Sequence, residues 1–521
     1  MRPPFEKTAL RYVPWVLCIL GLLAYGQTLW YPFVHDEIIS IQYNPLITRF
    51  DWNEIIHGTG TAVIKGGASS SALNAYYRPL LELLYRIEYA LFGLNPAGWH
   101  LFNILLHIAN SFLVYGLMNM VSGNKKWFAF AVSLLFLLHP VQTEAVACIS
   151  GVSNLLFAFF CLASLYLYYL GRQRPDARIQ GGSLAAFFGG LLAKEQAVML
   201  PVLVLWLEMV ISPREGNRPP RRLIRVSGYF AVLLGYFVLR KVFMPHGAVP
   251  PIQGNGELFL RILSIPRTLL MYGGTIFFPH DLHYYRSVDI LEPVGGSAAG
   301  LLVVILTIVL ILRRTPQPYR RLLLAGAGWF MICLAPVLNI IPIINEYSLI
   351  LTAEHFLYMS LAGALMFVLG FGYFLVSRLP ARRQGLCAAG IVGILGLACL
   401  VTTVRQNTVW AGDVPLLERT VRFEPDFARA RMLLADAYYH HREYNKAIVE
   451  YRRALAIMDG YLGKVGRQPV ASVYLGFIKE IHYKLGTSYL RLGDREKAQM
   501  HFRAVEENPE KLLRSPDAGG K

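Results

Sequence analysis

Charged residues are scarce in this chain. Asp, Glu, Lys and Arg make up 16% of its 521 residues, against 55% hydrophobic. With a mean hydropathy of +0.42, that excludes a soluble enzyme, a disordered chain and a fibrous repeat. Paired cysteines are missing as well. Cys18, Cys148, Cys161, Cys333, Cys387 and Cys399 fall mostly in apolar stretches with no C-x-x-C, which removes a disulfide framework and a cysteine metal site. No His/Cys ligand spacing supports a metal either. Acids are outnumbered 33 to 50, for a formal net charge of +17. In a soluble protein that excess would point to nucleic acid; here its position decides its meaning.

What the chain has in quantity is apolar runs. A bilayer core of roughly 30 Å takes about 20 apolar helical residues. Runs that meet or approach this length lie at 11–30, 98–121, 127–140, 153–170, 223–240, 299–312, 322–340, 355–377 and 386–404. The first follows Arg2, Lys7 and Arg11 but has no small-residue cleavage site after it, so it reads as a retained helix. Lys125/Lys126, Arg172/Arg174/Arg178, Arg214/Arg218/Arg221/Arg222/Arg225, Arg313/Arg314/Arg320/Arg321 and Arg378/Arg382/Arg383 sit in short connections, which marks the cytoplasmic side. With the N-terminus these segments hold twenty basic residues against Glu6, Asp176 and Glu215, a surplus equal to the whole net charge. The charge is a topology signal, and no nucleic-acid partner is expected.

Residues 183–211 separate two clusters that must share one side, so they are expected to form a short hairpin turning within the membrane, with Lys194 and Glu195 at its tip. Residues 258–279 are apolar but carry Arg261, Pro266 and Arg267, which predicts an interfacial helix on the outer side. The fold class expected is all-α: a polytopic membrane part over 1–404 with about eleven segments and a cytoplasmic N-terminus, then an outer helical domain over 405–521.

That tail carries 35 of the charges in 117 residues. Leu434, Ala435, Tyr438, Ala447, Tyr451 and Ala454 set out small and large positions that Leu485, Gly486, Tyr489, Ala498 and Phe502 repeat 51 residues later. These are the interlocking positions of a tetratricopeptide (TPR) repeat of 34 residues, with about 17 inserted near 460–476. Trp410 to Pro425 reads as a preceding half-repeat. Such a surface binds a peptide or partner protein.

Ionisable side chains at membrane depth are costly, and those that persist are functional candidates. On the expected outer side they gather: His35-Asp36-Glu37 after the first helix, Tyr76-Tyr77-Arg78-Pro79, His139 to Glu144, Lys194-Glu195, Arg240-Lys241, His280-Asp281, Tyr284-Tyr285-Arg286, and Glu354-His355. The set suits transfer of a sugar from a lipid phosphate. A carboxylate takes the proton of the attacking hydroxyl, cations hold the departing phosphate, and the transition state is oxocarbenium-like. Singly, each has a structural role open to it. Asp36 can cap a helix, Arg78 can anchor an amphipathic helix 78–92, and His139 can close a helix end. Lys194 and Glu195 can neutralise each other, and Arg240 and Lys241 can reach headgroups.

The string YRPLLELLYRIEYALFGLNPAGWHLFNILLHIANSFLVYGL from Tyr77 resembles the transmembrane and tetratricopeptide-repeat protein O-mannosyltransferase (TMTC) family of the GT-C superfamily. So do LLHPVQTEAVACISGVSNLLFAFF from Leu137, LLAKEQAVMLPVLVL from Leu191, FFPHDLHYY from Phe277 and AEHFLYMSLAG from Ala353. The resemblance implies a polyprenyl-phosphate-linked sugar donor, mannose in the animal members, and a protein or glycan hydroxyl as acceptor. It places the superfamily's acidic pair at Asp36-Glu37, with Asp36 as the catalytic base and Glu37 orienting donor or acceptor. Arg78, His139, Glu144, Lys194, Glu195, Arg240, Glu354 and His355 are then expected to bind the donor phosphate or substrate, Arg240 being the leading phosphate contact. No cofactor is required on this reading, though the superfamily accommodates a divalent cation. Short loops and a compact tail point to a bacterial cytoplasmic membrane, with the tail periplasmic. Two other classes compete. A lipid-linked oligosaccharide flippase needs polar residues through the membrane depth on both sides, and a non-catalytic scaffold would use the tail to recruit partners.

Overall fold

The structure is a computed structural model; it describes residues 12–57, 77–211, 219–243, 255–289, 295–338, 349–465 and 471–506. Arg2, Lys7, Arg11, Tyr76, Arg214, Arg218 and the centre of the expected insertion near 460–476 lie outside these residues. The chain divides at Trp410/Ala411 into two compact units, the second also taking in His283–Ser287.

The helices of the first unit follow the apolar runs. They are α1 (Val13–Tyr25), α2 (Trp52–His57), α3 (Pro79–Phe92), α4 (Pro96–Val121), α5 (Lys126–Leu138), α6 (Thr143–Ala147) and α7 (Val152–Gln173). Next come α8 (Ala177–Ala193), α9 (Leu200–Ile211), α10 (Pro219–Phe243), α11 (Asn255–Leu263) and α12 (Ile265–Phe277). The unit ends with α13 (Gly295–Arg314), α14 (Tyr319–Leu334), α15 (Ser360–Val376) and α16 (Ala381–Asn407). Two four-residue strands, Arg286–Asp289 and Leu349–Thr352, are the exceptions among the described residues. Starts are set locally. Asn95 caps α4 by accepting from the Ala97 amide at 3.2 Å, and Asp176 caps α8 through the Arg178 amide at 2.8 Å, each filling an orphan donor of the first turn.

By length and composition, seven described helices can cross a membrane: Val13–Trp30, Pro96–Val121, Ile149–Gln173, Arg225–Phe243, Gly295–Arg314, Tyr319–Val337 and Ala381–Trp410. The bent pair Lys126–Leu138 and Pro140–Ala147 makes an eighth if it is one span, and α15 is a shorter apolar helix, against the eleven segments expected. The polytopic, helical architecture is the one read from the sequence. α13 makes the argument by itself: its mean hydropathy is 2.6 and none of its residues is buried in protein, so its surroundings are lipid.

The run 183–211 is two helices joined by a short 3-10 turn over Glu195–Met199. α8 packs along α7, α9 packs along α14, and Lys194 and Glu195 stand at the turn between them. The interfacial segment is two helices, not one. The chain breaks at Ser264, and Pro266 sits in the first turn of α12, where its missing N–H costs nothing.

Polar side chains tie the bundle together. His107 on α4 bonds the Tyr358 hydroxyl at 2.7 Å and the Leu137 carbonyl at 3.1 Å, while Asn110 donates to Tyr358 at 3.0 Å and to the Leu155 carbonyl at 2.9 Å. Thr403 and Asn407 on α16 donate to the carbonyls of Leu138 and Ala24, both at 2.7 Å. Each such bond in a membrane protein contributes about 0.6–2 kcal/mol. α14 and α15 meet backbone to backbone at Gly326 and Gly363, where a Cβ on Gly326 would lie 2.7 Å from the Gly363 carbonyl.

The second unit contains α17 (Asp413–Phe423), α18 (Ala428–His440), α19 (Tyr444–Val465), α20 (Ala471–Arg491) and α21 (Arg495–Glu506), each packed on the next. The repeated small positions are where these helices touch: Ala435, Ala447 and Ala454 are fully buried, and a Cβ on Gly486 would meet the Phe502 ring at 2.6 Å. Both flanks of the expected insertion are helical, so much of it lengthens α19 and α20 to 22 and 21 residues. His283 stacks on Phe423 at 5.1 Å and faces Glu424 at 3.4 Å, which fastens the 283–287 segment within this unit.

Candidate active site

The site is built around the turn 139–154. α5 stops at His139 because Pro140 cannot continue it, and the two helical pieces bend by 50°. His139 Nδ1 accepts from the Val141 amide at 3.3 Å, and Nε2 meets the Ile276 carbonyl at 3.2 Å. Both ring nitrogens are occupied by backbone, so His139 caps the turn and ties it to α12. After α6 the chain doubles back through Ile149–Gly151, and only glycine fits there. A Cβ on Gly151 would lie 2.5 Å from the Ala145 carbonyl oxygen. From α4, the Asn103 amide reaches the carbonyls of Val146, Cys148 and Ile149 at 3.3, 3.0 and 3.3 Å.

Onto this turn the first loop is pinned by Glu37. One carboxylate oxygen accepts from the Val34 amide at 2.8 Å, the other from Ile149 at 2.5 Å and Ser150 at 3.4 Å. Burial pushes its carboxyl up to about 7, against the pull of these donors and of the Cys148 thiol. His35, just before, takes a left-handed backbone at φ 51°, a conformation uncommon outside glycine. Asp36 is placed oppositely to Glu37: its side chain is 38% exposed, 3.6 Å from His35 Nε2. The acidic pair therefore splits, with one carboxylate facing inward to backbone and the other outward.

On the other side of the turn the remaining candidates converge. The hairpin tip is held by Arg78, whose Nε donates to Glu195 at 2.9 Å while Nη2 pairs with the second oxygen. Lys194 is buried; its ammonium donates to Asn154 Oδ1 at 2.5 Å and lies 5.6 Å from the centre of the Phe356 ring. Glu144 is buried; one of its carboxylate oxygens accepts from the His355 backbone amide at 2.9 Å, and the other lies 2.8 Å from the ring Nδ1. Glu354 is buried beside it, and its backbone also faces Glu144. Arg240 occupies the last turn of α10 and shares with Arg78 and Glu195 an electrostatic influence on the Tyr236 hydroxyl. Glu37, Glu144, Lys194 and His355 thus meet on one turn, with Arg78 and Glu195 beside it at the hairpin tip. His139 supports that turn from behind.

Asn103 and Asn154 hold the site together and went unread in the sequence, where attention fell on ionisable groups. A neutral amide inside an apolar run is the signal that would have found them. Among the described residues no group of three or more His, Cys, Asp or Glu is placed to hold a metal ion.

No family model matches the chain. Against curated proteins it is 35% identical over 187 residues to human "Protein O-mannosyl-transferase TMTC2", covering 34% of this chain and 22% of that protein. It is 38% identical over 259 residues to the Xenopus laevis relative of that name, covering 46% and 30%. Against the Drosophila melanogaster relative it is 30% identical over 281 residues, covering 51% and 29%. The chain thus spans less than a third of the length of these relatives, and the resemblance read from its motifs is to the proteins that they represent. Among solved structures it is similar to ArnT from Cupriavidus metallidurans bound to undecaprenyl phosphate, at 15% identity and a TM-score of 0.35, over 96% of this chain and 78% of that one.

Proposed function

We propose that the protein is a polyprenyl-phosphate-dependent membrane glycosyltransferase of the GT-C type, with Asp36 as general base. The observation that carries this reading is Lys194. Its buried ammonium has a neutral amide and an aromatic ring for company, and no carboxylate within 4 Å among the described residues. Glu195 and Glu144 act on it from farther off; a buried charge that no carboxylate contacts is costly, and an anionic ligand lowers that cost. Arg78 and His355 already have carboxylate partners in Glu195 and Glu144, so the anion belongs at Lys194.

The reaction is then a displacement at the sugar's anomeric carbon. The acceptor oxygen forms the new C–O bond and its proton passes to Asp36, while the sugar–phosphate C–O bond breaks and its electron pair stays on the phosphate oxygen. Glu37 acts through the loop: it fixes where Asp36 stands. The donor's polyprenyl tail lies in lipid, and the acceptor is a protein or glycan hydroxyl. The N-terminus is cytoplasmic in a bacterial inner membrane, and the C-terminal unit is a periplasmic TPR domain that binds a peptide or protein.

The test is a transfer assay on the purified full chain with a panel of polyprenyl-phosphate sugars, including mannose. Asp36→Asn should lower turnover by about 10²–10⁴-fold, the contribution of a positioned base, while leaving expression intact. Full activity in that variant sinks the assignment.

A further inference from the structure

The first loop bounds a cavity that the reaction proposed above does not use. It measures about 220 Å³ and is lined by Ile41, Gln42, Tyr43 and Pro45 of the loop, and by Tyr89 and Leu94 at the end of α3 and just beyond it. The loop holds its own shape. Asn44 donates to the Ser40 carbonyl at 3.0 Å and accepts from the Leu46 amide at 2.9 Å, and the Thr48 hydroxyl donates to the Pro45 carbonyl at 2.7 Å. Buried Arg86 fastens loop to helix, Nε donating to the Arg49 carbonyl and Nη1 to the Glu82 carboxylate, both at 3.0 Å. A cavity whose walls are set in advance loses less to ordering when a ligand enters.

The lining and its position say what the cavity takes. Among the described residues no Asp, Glu, Lys or Arg lines it, so an ion would lose hydration there with no counter-charge, and the ligand is neutral. The Gln42 amide and the Tyr43 and Tyr89 hydroxyls bond no protein group among the described residues, while Ile41, Pro45 and Leu94 supply apolar surface. Three polar tips over apolar surface match one neutral side chain and the peptide groups on either side of it. A sugar ring carries a hydroxyl on nearly every carbon, and three side chains would leave several unpaired. Asp36 opens the helical stretch that ends at Gln42. Six residues at 1.5 Å or less put Gln42 no more than roughly 9 Å along the axis from Asp36, which an extended peptide covers in about three residues.

We propose that this cavity is a subsite for a polypeptide acceptor. It takes a neutral, apolar or aromatic residue two to four positions from the serine or threonine whose hydroxyl proton passes to Asp36. The inference rests on the function proposed above, narrows its acceptor to an extended peptide, and names Gln42, Tyr43, Tyr89 and Leu94 as the side chains that select it.

The test is transfer by the purified full chain, using the donor from the polyprenyl-phosphate panel that supports it. The acceptors are nonapeptides with one central serine in an alanine background, each carrying Leu, Tyr, Asp or Lys at a single position from −4 to +4, with oligosaccharides assayed in parallel. At one position two to four residues from the serine, wild type should prefer Leu and Tyr over Asp and Lys by about tenfold in kcat/KM, the worth of burying part of an apolar side chain. Tyr43→Ala and Tyr89→Ala should each shrink that ratio at least about threefold. Leu94→Lys should raise transfer to the Asp peptide at that position above its wild-type level, a gain that a damaged fold does not produce. No positional preference in wild type, or one that all three variants leave unchanged, overturns the subsite and leaves the proposed function standing. Equal losses on every peptide, with the ratio kept and no gain in Leu94→Lys, overturn it in favour of a purely structural wall. Transfer to oligosaccharides but to no peptide overturns the peptide acceptor alone. No transfer from any donor to either class overturns the proposed function and the subsite together.

Discussion

The Arg78–Glu195 pair joins the start of α3 to the hairpin tip across 117 positions of sequence, and its worth can be worked from the geometry. Two parallel bonds, one of them 2.9 Å, place opposite charges within about 4 Å, which at an effective dielectric near 20 is about 4 kcal/mol. The side chains are 20% and 31% exposed, so solvent screening removes roughly half of that. A coupling of about 2 kcal/mol should remain. The perturbation is a double-mutant cycle with Arg78→Met, Glu195→Gln and both together, read by unfolding of the purified chain in an SDS titration. Each single variant should lose about 2–3 kcal/mol, because it strands a partly buried charge. The double variant should lose little more than either single one. Losses that add to within about 0.5 kcal/mol would refute the reasoning, since the tip would then be held by packing alone and Arg78 would be an exposed anchor.

Two further outcomes follow from the turn and the loop. Gly151→Ala forces a Cβ to 2.5 Å from the Ala145 carbonyl and should cost about 1–3 kcal/mol as overpacking, with transfer falling at least about tenfold; Gly235→Ala, with nothing within 4 Å, serves as the control and should be silent in both assays. Burial raises Glu37 from 4.5 to about 7, so the folded state prefers its protonated form. The loop should be most stable below about pH 4.5 and lose roughly 3 kcal/mol as pH rises through about 7. Exchange of the Val34 and Ile149 amides, corrected for intrinsic rates, should quicken across that window and stay flat in Glu37→Gln; a flat wild type contradicts the assignment.

Much of the membrane unit was legible because its physics is one-dimensional. Hydropathy located the spans, and the basic clusters on either side of residues 183–211 marked Lys194 and Glu195 as a break in that run, where the structure ends one helix and begins a 3-10 turn. The site was legible only as a list. Nothing in the spacing says that Glu37 faces inward and Asp36 outward; that follows from the left-handed His35 and from the amides of Ile149 and Ser150, over a hundred residues away. Which cation is paired was equally hidden, because Arg78 and Lys194 look alike in sequence and differ in meeting a carboxylate or an amide. The break at Ser264 and the lengthened α19 and α20 show the same limit. Composition marks a segment as helical and interfacial, or as inserted, without saying where the axis bends or whether the extra turns stay helical.

The pairing pattern bears on how the proposed reaction gains rate. Arg78 with Glu195 is close to neutral as a pair, whereas Lys194 contacts an amide and an aromatic ring. A polyprenyl-phosphate sugar is a phosphodiester with one negative charge, and one ammonium balances it. As the sugar–phosphate bond breaks, a second negative charge develops on the departing phosphate. Lys194 already meets the first charge in the ground state and is attracted more strongly as the second develops, so it acts on both KM and kcat. A group that gains a hydrogen bond only as the second charge appears acts on kcat alone. On this reading, Lys194→Met should raise KM and lower kcat as well, and a variant that changes KM alone in a steady-state transfer assay would refute it.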